Sequence, residues 1–218
     1  MIVGVVREQL QSIGEELAVP LDDAALARLL TLRDLWLRYG RAMNLVGAHD
    51  EAALLPHFGD GIATIACAMR AGIVGPTTAW LDVGSGGGFP ALIVAAASPC
   101  TVTMVEPRQK RASFLELALA STVDKGGVVR ARTDDPTWRK KLAERHEYAD
   151  ESGFSVASSR AVFAPDRWLE VGDNLVMDRG VLLAHLHAGA GLGAKREILA
   201  TVTWGESQIV AVRANSRR

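Results

Sequence analysis

The chain has 218 residues, enough for one domain or one domain with an appendage, and 49% of them are hydrophobic, so it can bury a full core. A formal net charge of −1 excludes the strong global basic field of many nucleic-acid-binding proteins but leaves room for a local basic patch. Cys67 and Cys100 match no zinc-binding spacing and indicate free thiols in a reducing compartment. The N-terminus does not have the pattern of a signal peptide, and no apolar run reaches the length of a membrane span. We therefore expect a soluble cytoplasmic protein.

Residues 1–70 have the apolar spacing of helices. A first helix is predicted to end at Gly14 or Pro20. Asp22 is a suitable N-cap for a second helix, which is predicted to stop at Gly40.

A third helix is predicted to begin after Asp50. His57 and Asp60 lie three residues apart in it, so they share one face and can pair beside a pocket. The alternative is a local hydrogen bond with no ligand. We expect the chain to divide into an N-terminal helical cap, residues 1–75, and a core, residues 76–218.

Strands and helices alternate from Thr78 onward, which is the order of a parallel sheet with an antiparallel end. The sequence therefore predicts an α/β fold with a mostly parallel, seven-stranded sheet. The predicted strands are Ala79–Val83, Thr101–Val105, Gly127–Ala131, Phe154–Ala157, Val181–His185, Ile198–Val202 and Gln208–Val212, and the helices among them include Pro90–Ala97, Gln109–Ala120 and Pro165–Val176.

Four glycines lie among residues 84–88, directly after the first predicted strand. Glycine tolerates positive φ and lets a ligand approach the backbone closely. Strand, glycine turn and helix together form the nucleotide-binding half of a doubly wound sheet. A dinucleotide fingerprint would need glycine where Phe89 stands. The alternative is a glycine-rich turn without a ligand.

Two acids near strand ends suggest the type of ligand. Asp82 precedes the glycines and is predicted to point into the ligand crevice, where it could hold a cationic group. Glu106 follows the next strand and is placed to accept both hydroxyls of a ribose. S-adenosylmethionine is a positively charged ligand with a ribose, and it fits both acids.

The segment Leu81–Pro90 resembles the binding loop of class I methyltransferases, and its Phe-Pro ending resembles the glucose-inhibited division protein B family. Members of that family are bacterial methyltransferases that act on a guanine N7 of small-subunit ribosomal RNA. Further motifs match the family in order: Asn44-Leu45, His57-x-x-Asp60, Lys110-Arg111 followed by Phe114-Leu115, Arg132-Thr133-Asp134-Asp135, and Ser159-Arg160-Ala161.

The resemblance implies a Rossmann-like class I methyltransferase fold behind a helical cap, with S-adenosylmethionine as cofactor. It also implies ribosomal RNA or the small ribosomal subunit as partner, no metal, no membrane, and a monomer. The implied catalytic residues are Arg160, His57, Asp60 and Asn44. The implied cofactor-binding residues are Asp82, Gly84, Ser85, Gly86, Gly88, Phe89, Glu106, Thr133, Asp134 and Arg160, with the adenine near Thr133 and Asp134.

Arg160 is the residue predicted to hold the target base. It follows a strand end, and its guanidinium can donate to guanine O6 or to a phosphate. Guanine N7 carries a free lone pair and no proton, so methyl transfer to it needs no general base. Positioning and electrostatics can supply the catalysis. The alternative for Arg160 is a surface salt bridge.

Two positions depart from the family pattern. The family usually carries a lysine in a Leu-Lys-Gly segment after its sixth strand, whereas Val181–His187 has none. Gly61 stands where the family usually has serine. These departures leave two alternatives open: a small-molecule methyltransferase, or a non-catalytic protein that retains the cofactor pocket.

Other polar and aromatic residues leave the interpretation open. His185 and His187 alternate on a strand and could suggest a metal, but packing or solvent exposure is the preferred explanation. Arg108 and the neighbouring Lys110-Arg111 pair could contact RNA phosphate or form a solvated helix face. Trp36 is predicted to lie in the core.

Overall fold

A seven-stranded sheet organises the protein, of which a computed structural model describes residues 2–43, 45, 50–135, 137–144, 153–193 and 195–216. The strands are β1 (Ala79–Val83), β2 (Thr101–Val105), β3 (Gly127–Val129), β4 (Phe154–Ser159), β5 (Val176–His187), β6 (Ile198–Trp204) and β7 (Ser207–Arg213). The helices are α1 (Ile2–Leu17), α2 (Asp23–Met43), α3 (Glu51–Arg70), α4 (Ala91–Ala97), α5 (Gln109–Ala120), α6 (Trp138–Glu144) and α7 (Pro165–Gly172).

The strands lie in the order β3-β2-β1-β4-β5-β7-β6. The first five pair in parallel, β7 pairs antiparallel with β5, and β6 pairs antiparallel with β7. The predicted parallel sheet with an antiparallel end is therefore confirmed. The carboxyl ends of the parallel strands meet at one edge, where ligand sites of open α/β sheets form.

Helices cover both faces of this sheet. One face packs against α1–α5 in a single apolar cluster, and the other packs against α6 and α7. A Cβ atom at Gly59 of α3 would lie 1.9 Å from the Trp204 indole nitrogen of β6, so only glycine permits this close approach. The first three helices thus share a core with the sheet, and the boundary at residue 75 stays a prediction.

The predicted helix caps are confirmed, but the predicted helix ends are not. The Asp22 and Asp50 carboxylates accept hydrogen bonds from backbone N–H groups three residues on, at 2.7 and 2.8 Å. The prediction that α2 stops at Gly40 was wrong, because Gly40 is buried inside the helix and α2 continues to Met43. The first helix ends at Leu17, followed by Ala18 with φ 58°, between the two ends considered.

Helix α7 and strand β5 differ most from the predicted bounds. The helix was predicted to reach Val176, but it ends at Gly172, where a Cβ atom would lie 2.7 Å from a Leu182 methyl group. Val176 instead begins β5, which is longer than predicted. The segment Val181–His187, compared above with a segment after the sixth strand, lies in the fifth strand. The close packing of Gly172 against Leu182 depends on a contact between two elements, which local periodicity does not encode.

Helix α3 corrects one expectation about membrane spans. By length and composition it could cross a membrane, although no such run was expected. However, 67% of its most apolar window is buried inside the protein. The apolar character of α3 is therefore accounted for by its place in the core.

Candidate active site

A cleft of about 830 Å³ opens at the carboxyl edge of the parallel strands, within the usual size range of small-molecule sites. The segments that follow β1, β2, β3 and β4 supply most of its lining, and the helical cap supplies Leu45 and His57. The predicted site residues that line it are His57, Gly84, Ser85, Gly86, Phe89, Glu106, Thr133, Asp134 and Arg160. Asn44 lies outside the described residues.

The glycine turn forms the floor of the cleft. The backbone N–H groups of Gly84 and Ser85 both donate to the Val105 carbonyl, which ties the turn to β2. Gly84 has φ 76°, and a Cβ atom there would lie 2.2 Å from a Val162 methyl group. Gly86 has φ 58°. The turn therefore requires glycine at Gly84 for both space and backbone conformation.

Glu106 projects into the cleft from the end of β2, and it is 3% exposed. One carboxylate oxygen accepts from the Gly86 N–H and the other from the Arg108 N–H, both at 2.9 Å. A carboxylate oxygen can accept more than one hydrogen bond, so each retains capacity for a further donor such as a ribose hydroxyl. The cleft thus offers a fixed acceptor pair beside a glycine cradle, which fits S-adenosylmethionine.

Asp82 does not point into the cleft, which corrects the prediction for its side chain. The Ser158 hydroxyl donates to the Asp82 carboxylate at 2.6 Å, and the Trp80 indole donates to the Ser158 hydroxyl at 2.8 Å. Burial raises the pKa of Asp82 to about 6. Asp82 is therefore held beneath the glycine turn by Ser158 of β4. It could influence the cofactor only by supporting the conformation of that turn. Gly88 is likewise absent from the lining, because its Cβ position is filled by Leu92 at 2.4 Å.

Arg160 and Asp60 form an ion pair at the rim of the cleft. The Arg160 Nη2 lies 2.7 Å from the Asp60 Oδ2. The Asp60 side chain is 9% exposed, whereas the Arg160 side chain is 28% exposed and lines the cleft. The pair joins α3 to the end of β4 and leaves part of the guanidinium facing the cleft.

An aromatic stack joins the cap to the glycine turn. Phe89 packs between Trp36 and His57, with ring centroids 4.0 and 4.8 Å away. The Trp36 indole N–H also donates to the Gly87 carbonyl at 2.7 Å. Burial, and secondly Arg160, lower the pKa of His57, and its Nδ1 has no hydrogen-bond partner among the residues that the structure describes. His57 and Asp60 lie near the same arginine, but each contacts a different partner.

On the other side of the cleft, Asp134 pairs with Arg132 rather than standing free. The guanidinium of Arg132 donates two hydrogen bonds to the Asp134 carboxylate, at 2.9 and 2.8 Å. These bonds lower the pKa of the Asp134 carboxyl. Thr133 lies between them in the lining. The predicted contact of Thr133 and Asp134 with adenine stays a prediction.

His185 and His187 have different environments. His187 is exposed, whereas burial, and secondly Arg160, lower the pKa of His185 to about 3. The described residues contain no group of three or more histidine, cysteine or acidic side chains that could hold a metal.

Sequence reasoning missed the roles of two residues at the site. Trp36 is buried as predicted, yet its bond to the glycine turn could not be inferred from helical spacing. Val162 packs over Gly84 and is 44% exposed in the cleft. Its only sequence signal was its place just after the Ser-Arg-Ala segment.

The sequence of this chain is similar to that of one family of methyltransferases. Residues 25–204 match the model of the family GidB, rRNA small subunit methyltransferase G. A relative with that name from Halorhodospira halophila is 33% identical over 181 residues, covering 82% of this chain and 77% of its own length. One from Anaeromyxobacter dehalogenans is 32% identical over 184 residues, with the same coverage.

A solved structure gives an independent comparison of the fold. It is described as a putative protein-L-isoaspartate O-methyltransferase from Plasmodium falciparum in complex with S-adenosyl-L-homocysteine. At 13% identity it aligns with a TM-score of 0.50 and covers 97% of this chain and 95% of its own. This likeness concerns the fold alone, whereas the family model matches most of the sequence. The chain therefore belongs to the rRNA small subunit methyltransferase G family.

Proposed function

We propose that this protein transfers a methyl group from S-adenosylmethionine to the N7 of a guanine in 16S ribosomal RNA of the small subunit. The observation that carries the proposal is the Arg160–Asp60 ion pair, at 2.7 Å, on the rim of a cleft built over the glycine turn. Family membership supplies the reaction class and the RNA substrate. We place the protein in the bacterial cytoplasm and expect it to act as a monomer.

The residues of the cleft suit the cofactor. When bound, S-adenosylmethionine supplies an electrophilic methyl group on its sulfonium. Glu106 would accept from the ribose hydroxyls, Gly84 and Gly86 would let the ligand approach the turn, and Thr133 and Asp134 would flank the adenine. Phe89, fixed by the Trp36 stack, would close the cap side of the cleft.

Arg160 would orient the acceptor base. Asp60 holds one side of the guanidinium, and the N–H groups that face the cleft would donate to guanine O6 or to a flanking phosphate. Guanine N7 needs no deprotonation, so holding the base in line with the methyl group is the main requirement. The neutral His57 ring beside Phe89 would limit water access without adding charge.

The rival activities differ from this one in their acceptor. A small-molecule methyltransferase would use the same cofactor half, and a non-catalytic protein would retain only the pocket. The near-neutral charge of the chain and the missing lysine favour the small-molecule methyltransferase. However, four arginines line the cleft against two acids, Glu106 and Asp134, so positive charge is in excess where RNA would enter. This excess favours a polyanionic acceptor.

The test is transfer of labelled methyl groups to 30S subunits from a strain that lacks the gene. We expect label in 16S RNA, and chain cleavage specific for 7-methylguanosine should locate it at one guanine. Binding of S-adenosylmethionine without labelling of subunits or naked 16S RNA would reject the proposal. Labelling at a different atom would keep the enzyme class and reject the N7 acceptor.

A further inference from the structure

Two helix ends bring basic side chains together beside the cleft. The C-terminal part of α2 carries Arg38 and Arg41, and the start of α5 with its preceding residue carries Arg108, Lys110 and Arg111. We call these five residues the α2–α5 basic surface. Segments 36–43 and 107–115 contain these cations and no acid, although the whole chain carries 24 basic and 25 acidic residues. Charge is therefore strongly uneven over the protein.

Aromatic contacts hold the two helix ends together. The Tyr39 ring lies 6.4 Å from the Phe114 ring of α5, and the Arg38 guanidinium lies 5.3 Å from the Tyr39 ring centroid. Phe114 is four residues after Lys110, so the two side chains are neighbours on the same side of α5. The cation–π contact orients Arg38 without neutralising it.

The α5 part of the α2–α5 basic surface reaches the cleft. Arg108 and Arg111 line the cleft, and the Arg111 Nη1 lies 3.8 Å from where a Cβ atom of Gly86 would be. On the α2 side, the Tyr39–Phe114 contact holds Arg38 and Arg41 close to the start of α5. The cations of α5 therefore reach the cleft, and those of α2 lie next to them.

Four of these cations are available to a polyanion. Arg38, Arg41, Arg108 and Lys110 are exposed, and none forms an ion pair with any part of the chain that the structure describes. By contrast, Arg132 on the opposite side of the cleft is paired with Asp134. The side of the cleft formed by α2 and α5 is thus the more positive one.

We propose that the RNA backbone docks on the α2–α5 basic surface, so that phosphates flanking the target guanine contact Arg38, Arg41, Arg108 and Lys110. This inference rests on the proposed function and adds the path of the RNA. Phosphate contacts of this kind position a nucleic acid and make its binding depend on salt.

The test compares Arg38→Ala/Lys110→Ala with a matched control, Arg70→Ala/Arg179→Ala. Arg38 and Lys110 do not line the cleft, so both double variants should bind S-adenosylmethionine like wild type. Arg70 and Arg179 are exposed, and they lie toward the amino-terminal edge of the parallel strands, opposite the cleft. Each double variant removes two positive charges.

Binding is measured by fluorescence anisotropy with a labelled fragment of small-subunit ribosomal RNA over a range of salt concentrations. We expect Arg38→Ala/Lys110→Ala to bind about 10- to 60-fold more weakly near 0.1 M salt, with a log–log salt slope about 1.5 smaller. Its KM for 30S subunits should rise more than its kcat falls. The control should match wild type.

Two results would overturn the docking surface: RNA binding by Arg38→Ala/Lys110→Ala equal to that of wild type, or an equal loss in the control. Failure of the proposed function has a different signature, because wild type would then leave 16S RNA unmethylated whatever the two variants do in the binding assay. Binding of intact subunits but not of the RNA fragment would assign the surface to a ribosomal protein instead.

Discussion

Replacing Arg160 tests the acceptor site because it separates three quantities: stability, cofactor affinity and methyl transfer. Arg160→Ala leaves the Asp60 carboxylate, 9% exposed, without its partner at 2.7 Å. Breaking a fully buried pair costs about 3–5 kcal/mol. Arg160 is 28% exposed and water can replace it in part, so we expect a loss of about 2 kcal/mol in the free energy of unfolding.

Methyl transfer should fall for a separate reason. Loss of a charge-assisted, bidentate contact to the base costs about 1–3 kcal/mol, or roughly 5- to 150-fold in kcat/KM for RNA. Affinity for S-adenosylmethionine should change little, because Glu106 and the glycine turn remain. Arg160→Lys should recover stability through its charge opposite Asp60, but little activity, since an ammonium cannot reproduce the planar guanidinium.

The assays are denaturant unfolding, calorimetric titration with S-adenosylmethionine and label transfer to 30S subunits. Arg160→Ala/Asp60→Asn is the matched control, because it removes the unpaired charge and should regain stability without regaining activity. A wild-type rate of methylation by Arg160→Ala would refute the role of Arg160. So would a double variant that regains methyl transfer together with stability.

Four further predictions concern other parts of the site. Glu106→Ala should weaken S-adenosylmethionine binding in calorimetry about 10- to 100-fold, since two acceptors for the ribose are lost; unchanged affinity would remove Glu106 from the ribose. Trp36→Phe keeps an aromatic ring but loses the hydrogen bond to the Gly87 carbonyl, so the free energy of unfolding should fall by about 1–2 kcal/mol and cofactor binding should weaken. Thermal unfolding measures the first effect, and a melting temperature equal to that of wild type would contradict it. The folded protein holds the pKa of His185 at about 3, so only the unfolded chain binds the extra proton and the free energy of unfolding falls as the pH drops below about 6.5. Between pH 7 and 5, His185→Gln should therefore lose about 1–2 kcal/mol less of this free energy than wild type. Parallel pH profiles of stability would refute this. A fragment of residues 76–218 should aggregate, because it would expose the apolar face shared with the first three helices, whereas a soluble fragment with intact cofactor affinity would show a separable cap.

The sequence predicted the parallel sheet with its antiparallel end and the place of the glycine turn, because both depend on local patterns. The strand before residues 84–88 and the acid at the end of the next strand determine where a glycine cradle and Glu106 meet. Such elements follow from periodicity and from the rules of parallel sheets. Asp22 and Asp50 were recognised as caps for the same reason.

Tertiary packing accounts for what the sequence did not predict. Asp82 has the position of a ligand-facing acid, but Ser158, 76 residues away, binds its carboxylate. Helix α2 passes through Gly40 because this residue is buried against the rest of the protein. Trp36 has the spacing of a core residue and also bonds to the glycine turn. In each case the deciding partner is distant in sequence.

The two departures from the family pattern can now be judged by where they lie. Neither Gly61 nor any residue of Val181–His187 lines the cleft. A Cβ atom at Gly61 would lie 2.6 Å from an Ile93 methyl group, so Ile93 of α4 fills the space that a serine side chain would need.

His185 stands in β5, in the segment where the family pattern has its lysine, and its lowered pKa keeps the ring neutral beside Arg160. Arg160 stays paired with Asp60 and lines the cleft together with Arg108, Arg111 and Arg132. Neither departure removes a residue that lines the cleft, so both leave in place the groups proposed to contact the RNA.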